Sequence, residues 1–199
     1  KTFIYNTFEK LMKAISKSLK KNDPNHLNLG IRYGYIEQLD DELLRISKES
    51  FDALSFNCYA LSPDHEKMNH ALEISGLPMI IGEYHFGTVD RGLAQSLWQV
   101  NSQKERGDAF QYYTENAFAH RGLIGTGWFR WIDQNINGRT DGENYNCGFI
   151  DVTDRPYPYM VDAAIEAAKS LYEIHSGTKT PFHQAPNAVG HSPIPDLWE

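Results

Sequence analysis

The sequence predicts an α/β protein built around a parallel sheet. Two observations point there. Apolar stretches of strand length alternate with amphipathic stretches of helical length along most of the chain, and a strand–helix–strand rhythm makes neighbouring strands parallel with right-handed crossovers. The strand stretches are also continuous apolar runs, as strands buried on both faces are. A doubly wound sheet and a (β/α)8 barrel both fit this order. No strand is followed by a glycine-rich phosphate turn, which removes the usual signature of the first. Four strands are too few to close a barrel of eight, and the chain opens on a helix. The expected fold is therefore the C-terminal part of a (β/α)8 barrel, about strands five to eight, over residues 1–177, followed by an extended proline-containing tail over 178–199.

Each element has a local cause. Residues 8–21 place Phe8, Leu11, Met12, Ile15 and Leu19 at helical spacing, and Asp23-Pro24-Asn25 ends the helix because proline cannot continue it. A strand is expected over 26–31 and a second helix over 39–50. A second strand is expected over 52–56. Residues 64–75 form a third helix around Met68, Ala71, Leu72 and Ile74, stopped by Gly76. The run 78–82 (PMIIG) is a third strand. A long loop over 84–103, a helix over 104–120 and a fourth strand over 123–129 follow. An irregular Gly/Asn/Asp-rich segment covers 132–156, a last helix 158–175, and the tail holds Pro181, Pro186, Pro193 and Pro195.

Composition narrows the function. With 41% hydrophobic and 23% charged residues the chain supports a buried core. A net charge of −7 without a basic stripe argues against nucleic acid as a partner. Mean hydropathy is −0.53 and no apolar run approaches a membrane span. Cys58 and Cys147 alone make neither a disulfide framework nor a metal site. The segment from Asp141 lacks the ligand spacing of a calcium loop. No metal and no cofactor is called for.

Barrel enzymes carry their chemistry at the C-terminal strand ends. All four strands here pass from apolar to polar at that end: Arg32-Tyr33, Asn57-Cys58-Tyr59, Glu83-Tyr84-His85, and Trp128 to Trp131. Glu83 is the sharpest residue, a carboxylate where an apolar strand meets the rim, suited to attack an anomeric carbon. A retaining glycosidase pairs such a nucleophile with a second carboxyl ~5–5.5 Å away. The bland alternative is a strand-end Glu paired with Arg32. Tyr84 is expected to hydrogen-bond the nucleophile and His85 to pack or to hold a sugar hydroxyl. Arg32 is expected to be a buried charge in need of a partner. Asn57 and Tyr59 are candidate sugar-hydroxyl contacts, Trp128 and Trp131 candidate stacking platforms, and Asp133 and Gln134 further polar candidates.

Two long blocks then resemble a known family. Ile80-Ile81-Gly82-Glu83-Tyr84-His85-Phe86-Gly87 with Asp90-Arg91-Gly92 resembles the nucleophile strand of glycoside hydrolase family 50 β-agarases, and Trp128-Phe129-Arg130-Trp131-Ile132-Asp133-Gln134 resembles that family's last strand. The blocks 138–145 and 148–154 look like its following loop, and 23–27 and 51–57 match upstream blocks. The resemblance spans roughly residues 8–175. It implies a retaining hydrolase of clan A acting on β-1,4 bonds of agarose or neoagaro-oligosaccharides, with Glu83 as the nucleophile ending the seventh strand. The family's acid/base is the Glu of an Asn-Glu pair ending the fourth strand. It has no counterpart here, since Glu143-Asn144 runs in reverse order. The implied partners are a galactan polysaccharide or oligosaccharide and the N-terminal half of the barrel, in the same or a second chain, without which this chain is expected to be inactive. Agarose is too large to enter a cell, so a secreted or periplasmic place follows by analogy. Two other readings stay open: a half-barrel that binds polysaccharide or self-associates without catalysis, and a hydrolase of another galactan or a β-galactoside.

Overall fold

A computed structural model describes residues 2–190. In chain order the elements are α1 (Thr2–Asn22), β1 (Arg32–Tyr33), a 3-10 turn (Ile36–Gln38), α2 (Asp41–Ser50), β2 (Leu54–Asn57), α3 (His65–Ser75), β3 (Met79–Tyr84), β4 (Trp98–Gln99), α4 (Gln103–Phe118), β5 (Leu123–Trp128), α5 (Pro158–His175) and β6 (Val189–Gly190). Four strands form a parallel sheet in the order β1-β2-β3-β5. In β1 and β2, Arg32 lies opposite Ser55 and Tyr33 opposite Phe56. The short β4 and β6 pair antiparallel. The chain divides into two compact units. One comprises residues 2–58, 64–82 and 122–126, the other 59–63, 83–121 and 127–190.

In the first unit the helices begin where side chains replace missing backbone partners. Asp40 accepts from the Leu43 N–H at 3.0 Å to start α2, and Asp64 accepts from Glu66 and Lys67 at 3.0 and 3.1 Å to start α3. Gly76, at φ 67°, ends α3 in the left-handed turn that glycine adopts without strain. Met12 of α1, Ile46 of α2 and Phe51 form a buried cluster, with Tyr5, Phe8 and Leu77 packed against it. Burying a side chain such as Phe51 stabilises by about 1.5–3 kcal/mol.

The first strand departs from expectation. Residues 26–31 are not a strand, and pairing begins only at Arg32. Asn28 turns the chain there: its N–H and carbonyl bond Asp52 at 2.7 and 2.8 Å, and its side chain donates to the Ser50 carbonyl. Gly30, at φ 72°, presses on Phe51, where a Cβ would meet the ring at 2.5 Å. Leu27, Leu29 and Ile31 are left exposed, so the apolar run is no buried strand. A second apolar row also faces outward, on α1: Phe3, Ile4, Leu11, Ile15 and Leu19.

In the second unit α4 and α5 pack along each other. Ser102 caps α4 by accepting from the Glu105 N–H, and Pro158 opens α5 where its missing N–H costs nothing. A Cβ on Gly107 would meet the Tyr159 carbonyl oxygen at 2.5 Å, so only glycine lets the start of α5 approach so closely. The segment read as tail is docked as far as it is described. The Phe182 N–H donates to buried Glu115 at 2.7 Å, Asn116 donates to the Phe182 carbonyl at 3.0 Å, and Val189–Gly190 form β6. Residues 191–199, with Pro193 and Pro195, lie outside the described residues.

Candidate active site

Glu83 sits one residue before the end of β3, half-buried. Tyr59, just past β2 in sequence, donates its hydroxyl to Glu83 Oε2 at 2.8 Å. Burial raises the Tyr59 phenol far above its ordinary range, and the Glu83 charge and hydrogen bond raise it further. The phenol therefore keeps its proton and remains a donor to the Glu83 carboxyl. This partner corrects the expectation for Tyr84. Successive side chains on a strand point to opposite faces, so when Glu83 faces Tyr59, Tyr84 faces the helix layer. Tyr84 is buried, bonds Thr114 of α4 at 2.5 Å and stacks on Tyr113 with ring centres 4.0 Å apart.

His85 returns to the Tyr59 side and anchors it. Its ring lies edge-on to Tyr59 at 5.0 Å and to Tyr145 at 5.8 Å, and tilts against Phe129 at 5.9 Å. Nε2 accepts from the Leu97 N–H at 3.2 Å, so that nitrogen carries no proton. Nδ1 has no partner in hydrogen-bond geometry, although the Phe129 carbonyl acts on the ring from nearby. Complete burial, helped by the charge of Arg106, pushes the imidazole down to about 3. His85 is thus a neutral packing residue, closed off from a sugar. A histidine pKa that falls on folding has a signed consequence. Above pH ~6.5 both states are neutral and the contribution is fully present; between ~6.5 and about 3 only the unfolded chain takes the proton. Stability should fall by up to about 1.4 kcal/mol per pH unit on acidification through that window. Urea titrations at pH 7, 6, 5 and 4 measure this, and His85→Gln should flatten the profile. A variant with the same slope as the unaltered protein would count against it.

The aromatic candidates divide. Trp128 donates Nε1–H to the Cys147 carbonyl at 2.7 Å and is wedged edge-on among Tyr84, Phe110 and Phe149 at 5.2, 5.4 and 5.9 Å. Trp131 is 68% exposed and lies nearly flat on Phe149, 24° between planes at 5.9 Å. One face is held and the other is open, the form of a stacking platform.

Asp133 and Gln134 turn inward instead of lining an open rim. Asp133 Oδ1 accepts from the Gly148 N–H at 2.7 Å, and Oδ2 from Asn146 and Tyr157 at 2.8 and 2.6 Å. Gln134 accepts from the Tyr145 N–H at 2.6 Å and donates to Glu143 at 2.7 Å. Both are at most 4% exposed. Arg32 and Asn57 belong to the first unit. Arg32 is exposed and reaches the Gly82 carbonyl at 3.4 Å, so the expected buried charge is absent; Asn57 ends β2 half-buried. Cys58 and Cys147 are buried and are not joined in a disulfide, and burial pushes the Cys147 thiol up to about 12. Among the described residues no three His, Cys, Asp or Glu side chains gather as metal ligands, and no helix is long and apolar enough to cross a membrane.

Sequence reasoning misses a buried polar frame behind the site. Arg106 of α4 is fully buried, donates to the Asn146 carbonyl at 3.0 Å and lies over the Tyr157 ring at 4.3 Å. Gln103 donates to Thr88, Asp90 and Asn146 at 2.7–2.8 Å. This frame ties the segment after β3 to the segment after β5. The one available signal is an arginine that falls on the buried side of α4.

Solved structures agree on the α/β fold with its parallel sheet. A β-D-glucuronidase of Dictyoglomus thermophilum (13% identity, TM-score 0.57) and xylanase 10B of Thermotoga petrophila (15%, TM-score 0.53) match 81% of this chain and show the fold alone. No protein-family model matches the sequence. Two curated proteins of Vibrio sp. (strain JT0107) do: β-agarase A, 36% identical over 80% of this chain, and β-agarase B, 34% over 82%. Among solved structures an exo-β-agarase matches 87% of the chain at 32% identity with TM-score 0.81, and the agarase AgWH50C 84% at 36% with TM-score 0.79. Over most of its length the chain is similar to β-agarases, among them structures of glycoside hydrolase family 50. It spans 16% and 17% of the lengths of the two curated relatives, and 23% and 24% of the two solved chains.

Proposed function

We propose that this chain supplies strands five to eight of the (β/α)8 barrel of a retaining hydrolase that cleaves β-1,4 bonds in agarose or neoagaro-oligosaccharides. The observation that carries the reading is the pair Tyr59–Glu83, a strand-end carboxylate held at 2.8 Å by a phenol that cannot release its proton. A Glu83 oxygen attacks the anomeric carbon as the glycosidic bond breaks, giving a glycosyl ester. The leaving oxygen takes a proton from an acid/base carboxyl contributed by the other half of the barrel, in the same or a second chain. That group then deprotonates the water that hydrolyses the ester with net retention. Tyr59 orients the nucleophile, Trp131 stacks on a sugar ring, and no cofactor takes part. Residues 2–190 alone lack the acid and should not turn over substrate. The test is product analysis by NMR with the full-length protein on agarose, an unsubstituted β-1,4-galactan and an aryl β-galactoside. Neoagaro-oligosaccharides first released as the β-anomer are expected. Inverted product, or turnover of the other two substrates alone, would sink the reading.

Tyr59 and Tyr84 give an internal control. Tyr59→Phe removes a hydrogen bond to a charged group, worth ~1.5–3 kcal/mol, and should lower kcat/KM by roughly 10- to 100-fold. Tyr84→Phe should leave kcat/KM within about twofold, because its hydroxyl serves Thr114. Equal effects in steady-state kinetics would refute the assignment.

The outward row on α1 supports the barrel reading from another side. Phe3, Ile4, Leu11, Ile15 and Leu19 form an apolar face that a preceding barrel helix would cover, and a self-associating chain would use the same surface. Sedimentation of the isolated chain separates the two.

A further inference from the structure

The segment after β5 carries a second charged pair that the proposed mechanism does not use. Arg139 Nη1 lies 3.3 Å from Glu143 Oε2, and Gln134 Nε2 donates to the same oxygen at 2.7 Å. The backbone closes beneath the pair, with the Arg139 N–H donating to the Glu143 carbonyl at 2.8 Å. The pair is linked by contacts to the residues around Tyr59. Arg139 lies over the Phe129 ring at 5.9 Å, and Gln134 holds the Tyr145 N–H, whose side chain leans on His85 beside Tyr59. Glu83, Tyr59, His85, Tyr145, Gln134, Glu143, Arg139 and Phe129 thus form one circuit of contacts. The charges of Glu143 and Glu83 both act on the Tyr59 phenol, and that of Glu83 also acts on Arg139.

The pair is not saturated. Glu143 Oε2 accepts from Gln134 and faces Arg139 Nη1 as an ion pair, and Oε1 has no hydrogen-bond donor among the described residues. Arg139 donates Nε and Nη2 to Asp141 and sets Nη1 beside Glu143 as an ion pair. A guanidinium has five N–H donors, so N–H groups on both terminal nitrogens are left over. The side chains are 22% and 39% exposed, open to a ligand yet held in place. A fixed acceptor beside fixed donors matches two neighbouring hydroxyls of a sugar, each of which can donate and accept. Asp141 and Glu143 together outweigh the charge of Arg139, so the cluster as a whole repels a sulfate ester.

We propose that Glu143 and Arg139 grip adjacent hydroxyls of one neutral galactose residue next to Glu83, and so determine preference for unsulfated galactan. This rests on the galactan-hydrolase reading above.

The test uses the full-length protein with neoagaro-oligosaccharides, their monodeoxy-galactose analogues and a sulfated counterpart. Glu143→Gln keeps an oxygen for Gln134 and Arg139, so the loop should keep its place and the unfolding temperature should hold. KM should rise roughly tenfold or more, as for a lost hydrogen bond to a charged group, with kcat within about threefold, and the preference for neutral over sulfated substrate should shrink. One deoxy analogue should lose affinity against the unaltered protein and lose nothing further against Glu143→Gln, because the missing hydroxyl and the missing charge report one contact. An altered loop would penalise every analogue alike, and that result overturns the proposal even if KM rises. An unchanged KM, or a fall in kcat alone, overturns it too. If the unaltered protein turns over no neoagaro-oligosaccharide, the galactan reading itself fails and this site falls with it.

Discussion

Glu83→Gln in the full-length protein is expected to abolish turnover of agaro-oligosaccharides, with kcat and kcat/KM falling together by on the order of 10⁴-fold or more, as when one member of a cooperating catalytic set is lost. The amide has nearly the size and shape of the carboxylate, and its oxygen still accepts from Tyr59, which sits 2.8 Å away in the unaltered protein. Packing and unfolding temperature should therefore hold while the nucleophile is gone. A structural carboxylate would give the opposite pattern, with lower stability and surviving turnover. Glu83→Ala sharpens the distinction. With azide present, the small anion occupies the vacated space and attacks the anomeric carbon while the acid/base still protonates the leaving oxygen, giving a glycosyl azide of inverted configuration. Substantial activity in Glu83→Gln would refute the nucleophile assignment.

How far the sequence revealed this site depends on which interactions are local. The stop at Gly76 follows from residues a few positions apart and was legible, whereas the caps at Asp40 and Asp64, equally local, were not picked out of the helices expected over 39–50 and 64–75. The place of Glu83 was legible because an apolar run meeting a charge marks a strand end. The exchange of Tyr84 for Tyr59 was legible in part, since strand alternation alone places Glu83 and Tyr84 on opposite faces. The partner that replaces Tyr84 lies 24 residues away, and no short-range pattern points to it. The run 26–31 is as apolar as a strand, yet Asn28, bonded to Asp52, and Gly30 turn it outward. Asp133 and Gln134 carry the side-chain chemistry of a sugar site. They are spent internally because the segment after β5 folds back on itself through contacts 9 to 24 residues apart.

That folded-back segment makes Asp133→Ala the substitution expected to cost most stability. Asp133 accepts three hydrogen bonds in an environment that is 4% exposed, from the Gly148 N–H, Asn146 and Tyr157. Its charge also acts on Arg106, a fully buried guanidinium whose Nε and Nη2 have no hydrogen-bond partner. Burial lowers the pKa of Arg106, and Asp133 is the largest influence opposing that shift. Removing the carboxylate strands three donors and leaves a buried positive charge with less compensation, at a cost of about 3–5 kcal/mol. Asp133→Asn should cost less, because one amide oxygen still accepts from Gly148 while its NH2 group confronts that of Asn146. The closure has no slack to absorb either change, since a Cβ on Gly148 would already approach the Asp133 nitrogen to 2.3 Å. Urea unfolding of the full-length protein measures both variants. A loss below about 1 kcal/mol for Asp133→Ala would mean that Arg106 and the segment after β5 are held by other contacts. The larger loss would show that a carboxylate with the chemistry of a sugar ligand is a structural residue of the segment after β5.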